Sequence, residues 1–599
     1  MRSVLPIFVT LMLVTPGLAQ EAADAVAPED ATETGTSGLS ERAMAALAAR
    51  DAGDPVTAQD WMVAAANPLA VEAGADVLAA GGTAADAMVA VQAVLGLVEP
   101  QSSGLGGGAF LVYYDALSGE LTTLDGRETA PHAATPTLFQ DETGEPLGFF
   151  DAVVGGLSVG TPGTPALMED AHRRWGQANW QSLLDPAISL ADEGFSVSAR
   201  MAGAIANDAE RLSTFPATAA YFLPDGAPLA EGSLLQNPAY ADTLRAMQIH
   251  GADAIYEGPI AEGIIDTVRS AEGNPGVLSL RDLEAYRVIE RPAVCAEYRG
   301  MDVCGMGPPS SGALTVGQIL GMVDNFTLEG PDNPDDWRLI GDASRLAFAD
   351  RGRYMADSDF VPMPTEGLVD PAYLEERAQL IEGDRLDPGT ALSEVAPGTP
   401  TWDHAQLWAD DESFEFPSTS HISIVDTYGN VLSMTTTIEN GFGSRLMAPG
   451  GFLLNNELTD FSFRTHRDRV PIANRLEPGK RPRSSMSPTI VMQDGEPILA
   501  IGSPGGSRII GYVATAIIAH YDWGLDLQDA LSLPHAVNRF GTYDLEEGTD
   551  AEALAEPLEA MGYEVNIRSL NSGLHAIAIT PDGLVGAADP RREGIALGE

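Results

Sequence analysis

Strict alternation of apolar and polar residues is clearest between His421 and Ile438. Ile422 and Ile424 alternate with His421 and Ser423, Thr427-Tyr428-Gly429-Asn430 supplies a turn, and Val431 to Ile438 reads as a returning strand. With Tyr428-Gly429 at the hairpin tip, Thr437 falls opposite Ser420, and within one residue of register it stands beside Thr419. Two hydroxyls are expected to meet at the head of this hairpin. The plainer explanation of Thr435-Thr436-Thr437 taken alone is that threonine, being β-branched, suits strands.

Upstream, helix signals are well punctuated. Asn67 caps a helix with Pro68 at its first position, running to Ala80 and stopped by Gly81-Gly82. Thr83 and Asp86 form a capping box for a second helix that ends before Pro100. A glycine-rich stretch, Gln101 to Gly108, precedes a strand from Ala109 to Tyr114. It lacks the Lys-Ser/Thr of a phosphate loop and leads into a strand, so a close backbone approach is expected there. Arg127 lies at the exit of a second strand within Leu121 to Pro131. From Thr161 to about Glu290 the pattern is mostly helical, as in Ala166 to Trp175 and Asp185 to Glu193. Pro, Asp, Gly and Ser enrich Gly383 to Pro417, the composition of a mobile linker. Gly502-Ser-Pro-Gly-Gly-Ser-Arg508 leads into a helix from about Ile509 to Tyr521.

Composition narrows the class. At 44% hydrophobic residues the chain can bury a large core, and its 599 residues would by length alone suggest three or four domains. Met1 to Ala19 carries Arg2, an apolar run too short to span a bilayer, and a Gly17-Leu18-Ala19 cleavage site, which reads as a secretory signal. Residues 20–56 read as a flexible acidic leader, with order beginning near Trp61. The only cysteines are Cys295 and Cys304. If Arg299-Gly300 forms a two-residue turn they face one another across a hairpin, and in an exported protein a disulfide is expected.

A formal net charge of −53 argues against nucleic-acid binding. Against that background Arg464, Arg467, Arg469, Arg475, Lys480, Arg481 and Arg483 put seven bases in twenty residues. Such a cluster would draw an anionic substrate, or would pair with the protein's own acids.

Several segments resemble, in order and over about Trp61 to Arg592, the γ-glutamyltransferase family. They are the glycine-rich strand entry, Asp125-Gly-Arg-Glu-Thr-Ala-Pro131, Gly307-Pro-Pro-Ser-Ser-Gly312, Thr419-Ser-His-Ile-Ser-Ile-Val425, Gly451-Phe-Leu-Leu-Asn-Asn-Glu-Leu-Thr-Asp-Phe461, Pro482-Arg-Ser-Ser-Met-Ser-Pro488 and Ala587-Ala-Asp-Pro-Arg591. The resemblance implies self-cleavage between Ser418 and Thr419, an N-terminal nucleophile at Thr419 oriented by Thr437, and an oxyanion hole at Gly505 and Gly506. It implies that Arg127, Ser484 and Ser485 hold the substrate's α-carboxylate, while Glu439, Glu457 and Asp460 accept from its α-ammonium. An α-amine with a pKa near 8 is a competent base for the neighbouring hydroxyl only once the preceding peptide bond is gone. Glu439 stands where well-known members have Asn, and the segment after Asp460 is short and lacks the tyrosine that lids the pocket in some members.

The fold so implied is α+β, a four-layer αββα N-terminal nucleophile hydrolase sandwich. Its large subunit would span residues 57–418 and its small subunit 419–599, neither stable alone. The expected partners are a small γ-glutamyl donor and water or an amino-acid or peptide acceptor, with no nucleic acid, no stable membrane anchor, and no metal or organic cofactor. An acylase of the same superfamily acting on glutaryl amides is the close alternative, and a secreted binding protein without activity the distant one.

Overall fold

The computed structural model describes residues 38–599 apart from 384–388, 403, 405, 412 and 414. The secretory signal and the leader up to residue 37 lie outside the described residues. Order begins earlier than Trp61. Glu41–Asp51 is a helix capped by the Ser40 side chain, with Ala43, Ala46 and Leu47 buried along one face. Arg50 at its end donates to the carbonyls of Arg592 and Gly594 at 2.8 and 2.9 Å. An alanine-rich stripe at helical spacing is a weak signal against a background of Ala, Glu and Thr, and only packing against the C-terminal segment makes it visible.

Two seven-stranded sheets lie at the centre, among the described residues. The first runs in the order Ile595–Gly598, Met62–Ala65, Ser420–Val425, Val431–Thr437, Gly108–Asp115, Glu120–Gly126 and Ile289–Arg291. The second runs Val56–Ala58, Gly583–Ala588, His575–Thr580, Glu496–Gly502, Thr489–Gln493, Met301–Gly305 and Val294–Tyr298. Val112, Val425, Val431, Ile490 and Ile577 pack between them. The outer face of the first sheet is covered by the helices Pro68–Ala79 and Ala84–Val98, and that of the second by Gly312–Val323 and Ile509–Tyr521. This is the expected αββα layering. Strands from before and after Ser418 share both sheets, so the length does not divide into separate sandwiches.

Asn67 caps Pro68–Ala79, and the Thr83–Asp86 capping box opens Ala84–Val98, every residue of which is buried. In the core hairpin Ser420 pairs with Thr436, one residue from the expected register. The difference is in the turn. Its loop is the three residues Thr427-Tyr428-Gly429, with Gly429 at φ +84°, where a left-handed residue completes a three-residue connection. Asp426 fixes it by accepting from the amides of Tyr428 and Asn430. The shift brings Thr437 level with Thr419.

Arg299 (φ +53°) and Gly300 (φ +77°) form the tight turn expected, and Cys295 faces Cys304 and is bonded to it. No helix among the described residues is long and apolar enough to cross a membrane.

Candidate active site

The polar face of the core hairpin looks inward, toward the second sheet. The His421 ring is fully buried, with Nδ1 2.9 Å from Thr435 Oγ1 and Nε2 3.0 Å from Ser423 Oγ. Burial holds this imidazole well below its ordinary pKa, so it is a neutral spacer. Gly502 on the facing strand leaves it room, since a β-carbon there would stand 2.3 Å from the ring.

Thr419 heads the strand and is 4% exposed. Its Oγ1 lies 3.0 Å from Thr437 Oγ1, which also accepts the Glu439 amide at 2.9 Å. Behind it, the Thr419 carbonyl accepts from Arg592 Nη1 at 3.0 Å, and Ser418 Oγ donates to the Gln101 carbonyl at 2.8 Å. Thr419 adopts φ +111°, a region where a β-branched residue carries strain on the order of 1–3 kcal/mol. The chain is continuous through Ser418–Thr419, so this is the arrangement before any cut.

A pocket opens at these hydroxyls. Every residue singled out for catalysis or substrate binding from the sequence lines it except Gly505. Gly505 (φ +135°) packs behind, its missing β-carbon facing the Tyr512 ring, whereas Gly506 (φ +58°) borders the cavity beneath Thr419's upstream segment. A side chain at Gly506 would collide with the Glu415 carbonyl 2.5 Å away. The turn leads through Gly506–Arg508 into the helix Ile509–Tyr521, so the N–H groups here sit at a helix entrance suited to developing negative charge.

The charged wall is arranged differently from a bare reading of the motifs. Arg127 is buried and ion-paired with both Glu457 and Asp460, and it donates to the Arg483 carbonyl at 2.8 Å. The guanidinium and the two acids expected to bind opposite ends of a substrate therefore hold each other in the uncut chain. Burial, reinforced by the Asp460 charge, pushes Glu439 well above the ordinary carboxylate range. Burial likewise raises Glu457 and Asp460, against the pull of Arg127. Glu128, with neither carboxyl oxygen hydrogen-bonded, is pushed up to about 8 by burial. The pocket thus holds more carboxyls than guanidinium can neutralise, and an arriving cation would be favoured.

The basic cluster at 464–483 is split, with Lys480, Arg481 and Arg483 buried and Arg464, Arg467 and Arg469 exposed. Arg481 pairs with Asp125, Arg483 with Asp411, Arg464 with Glu145, and Lys480 donates to the carbonyls of Ala473 and Arg475. Lys480 also pairs with Glu477 at 3.3 Å, so of the two readings left open by the sequence, pairing with the protein's own acids accounts for these four.

Three residues at the site were not singled out from the sequence. Glu415 and Phe416, in what read as a linker, fill part of the cavity, and the Phe416 ring stacks on Phe149 at 3.8 Å. Arg351 is ion-paired with Glu415 and donates to Ser485 Oγ at 2.8 Å. Composition hid the first two, and Arg351 stands in the last turn of the helix Pro334–Tyr354, where a basic residue has an ordinary explanation.

The sequence profile described as gamma-glutamyltranspeptidase matches residues 70–599. The glutathione hydrolase proenzyme of Bacillus subtilis strain 168 is 38% identical over 554 residues, covering 90% of this chain and 92% of the relative. That of Escherichia coli K12 is 35% identical, covering 90% and 92%. Among solved structures, the cephalosporin acylase from Bacillus halodurans aligns with a TM-score of 0.79 at 26% identity, covering 91% of this chain and 97% of that one. These likenesses agree with the sandwich of two sheets between helical layers. By the extent of the profile match and the identity to full-length relatives, this chain belongs to the gamma-glutamyltranspeptidase family.

Proposed function

We propose that the protein is a γ-glutamyl hydrolase and transferase that matures by cutting itself before Thr419. The observation that carries this reading is the 3.0 Å pairing of the Thr419 and Thr437 hydroxyls at the mouth of a cavity lined by one guanidinium and several buried carboxyls. In maturation Thr419 Oγ1 attacks the Ser418 carbonyl and the C–N bond breaks. The acyl group passes to oxygen while the proton passes to the new amine, and water then hydrolyses the ester. In turnover the freed amine takes the hydroxyl proton as Thr419 Oγ1 attacks the γ-carbonyl of glutathione or a related γ-glutamyl amide. Thr437, its oxygen already accepting from Glu439, keeps its own proton to donate to the nucleophile. The tetrahedral oxyanion is held at the Gly505-Gly506 turn, the leaving amine takes the proton, and water or an acceptor amine releases the γ-glutamyl group.

Arg127 with Ser484 and Ser485 would hold the α-carboxylate, and Glu439, Glu457 and Asp460 the α-ammonium. The surplus of carboxyls favours a donor carrying that ammonium over a glutaryl amide, the substrate class of the acylase alternative. The Cys295–Cys304 bridge supports export to an oxidising compartment. In the test, purified wild type gives two bands with threonine at the new N-terminus, and Thr419→Ala gives one. Hydrolysis of γ-glutamyl-p-nitroanilide but not its glutaryl analogue selects this reading over the acylase. Two bands from Thr419→Ala would sink self-cleavage at this residue.

A further inference from the structure

The segment just before the cut lies in the pocket as a ligand would. Glu415 places its carboxylate on Arg351, within 3.7 Å of Arg483 Nε and beside the Ser485 hydroxyl. The Glu415 carbonyl accepts the Ser507 amide at 3.2 Å, and the Phe416 amide donates to a Glu439 carboxyl oxygen at 3.3 Å. The carboxylate and the N–H thus each meet a group lining the cavity, Ser485 and Glu439, and the carbonyl meets the amide next to cavity-lining Gly506.

Arg351 is 2% exposed, and Glu415 is the carboxylate ion-paired with it among the described residues. Its remaining hydrogen-bond partners are the hydroxyls of Ser311 and Ser485, both at 2.8 Å. Arg483 leans on the same segment, through Asp411 at 3.1 Å and Ser413 Oγ at 3.2 Å. If the segment withdraws once it is no longer joined to Thr419, two neighbouring buried guanidiniums lose acids that neutralised them. Leaving a buried charge unpaired is costly, so the vacated place is strongly favourable for another carboxylate. Burial and the Arg483 charge already lower Arg351 to about 10, as expected of crowded cations.

We propose that Arg351, acting with the Ser485 hydroxyl, is a second guanidinium of the donor's carboxylate subsite, and that Glu415 is the chain's own occupant of that subsite until the cut. The proposal rests on the γ-glutamyl reading above and adds a residue that reading does not use. Arg127 is engaged by Glu457, Asp460 and two backbone carbonyls. Arg351 offers the incoming carboxylate a bidentate-capable fork already holding a carboxylate of the same kind.

The test uses processed two-chain enzyme, γ-glutamyl-p-nitroanilide and two acetylated peptides spanning residues 413–418, Ser-Phe-Glu-Phe-Pro-Ser and its Glu→Gln form. The Glu peptide is expected to compete with the donor about tenfold more tightly than the Gln peptide, the loss typical of one charged hydrogen bond. Arg351→Gln is expected to abolish that difference and to raise KM about tenfold or more with kcat changed less than about threefold, with Arg351→Lys recovering part of the KM. Equal inhibition by the two peptides overturns the proposal, as does an unmoved KM in processed Arg351→Gln. If that variant fails to fold or process, the peptide pair on wild type decides alone. Failure of the underlying reading looks different, as wild type that stays uncut or does not turn over the γ-glutamyl donor.

Discussion

The carbonyl oxygen of Thr419 is held by Nη1 of Arg592 at 3.0 Å, tying the head of the core hairpin to the end of the chain. The Ser418 side chain is anchored on the other side of the bond, to the Gln101 carbonyl. The Ser418–Thr419 peptide, the proposed site of the cut, is therefore clamped at both flanks while Thr419 is kept at φ +111°. Replacing Arg592 with Ala should release one clamp and slow self-cleavage, since the strained conformer would no longer be enforced. The expected outcome is a larger fraction of single-chain protein at a given time on a denaturing gel, with Arg592→Lys intermediate. Cleavage at the wild-type rate in a folded Arg592→Ala protein would refute the clamp.

Thr437→Val keeps the β-branched shape and removes the hydroxyl beside that of Thr419, the proposed nucleophile. It also leaves the buried Glu439 amide without its acceptor, so a loss on the order of 1–3 kcal/mol is expected in stability. A fall of about 10- to 100-fold in kcat is expected from losing the hydrogen bond to Thr419. Thr437→Ser should restore most of both, which rate measurements on processed enzyme and a thermal melt can check.

Much of this site was legible because chemistry here depends on short local patterns. The capping residues Asn67 and Thr83 and the turn at Gly429 act through near neighbours, so residue type and spacing carry the information, whereas Thr419, Thr437 and the Gly505-Gly506 turn were singled out through the family resemblance. What stayed hidden depends on contacts between distant segments. Glu415 in a linker-like stretch meets Arg351, and Arg50 in an alanine-rich helix meets the carbonyls of Arg592 and Gly594. The pairing of Arg127 with Glu457 and Asp460 was hidden likewise. All three line one cavity, and their mutual ion pairing depends on how distant segments fold together.

Glu128 should impose a measurable pH dependence on stability. Burial raises its carboxyl from 4.5 to about 8, so between those values the folded chain keeps a proton that the unfolded chain has released. Its contribution is fully present below about pH 4.5 and is lost as pH rises toward 8, since the slope of stability with pH takes the sign of protons bound unfolded minus folded. Glu128→Gln should flatten the decline in Tm between about pH 5 and pH 8 relative to wild type. Parallel declines in the two proteins would show that other groups govern this range.

The disulfide closes a short loop, Cys295 to Cys304, nine residues apart and away from the pocket-lining residues. A loop of this size limits the unfolded chain modestly, by about 2–3 kcal/mol in the chain-entropy account. The double substitution Cys295→Ala/Cys304→Ala should therefore lower Tm while leaving KM for the donor within about twofold of wild type. A large KM change would mean that this hairpin reaches the site through contacts not evident in its packing.

Both halves of the cut protein should remain one folded body. In the first sheet the strand Ser420–Val425 pairs with Met62–Ala65, and Val431–Thr437 pairs with Gly108–Asp115, so each strand of the core hairpin has a neighbour from before the cut. In the second sheet Thr489–Gln493 pairs with Met301–Gly305, and Gly583–Ala588 with Val56–Ala58. Separating the pieces would break five strand pairings, the fifth being Met62–Ala65 with Ile595–Gly598, and expose apolar faces of both sheets, far more than a surface association buries. The two pieces should co-elute on a sizing column without denaturant and melt in one transition, while residues 419–599 expressed alone should aggregate. A soluble, cooperatively folding 419–599 piece would contradict this, because that piece would have found partners for strand edges that here belong to the other half.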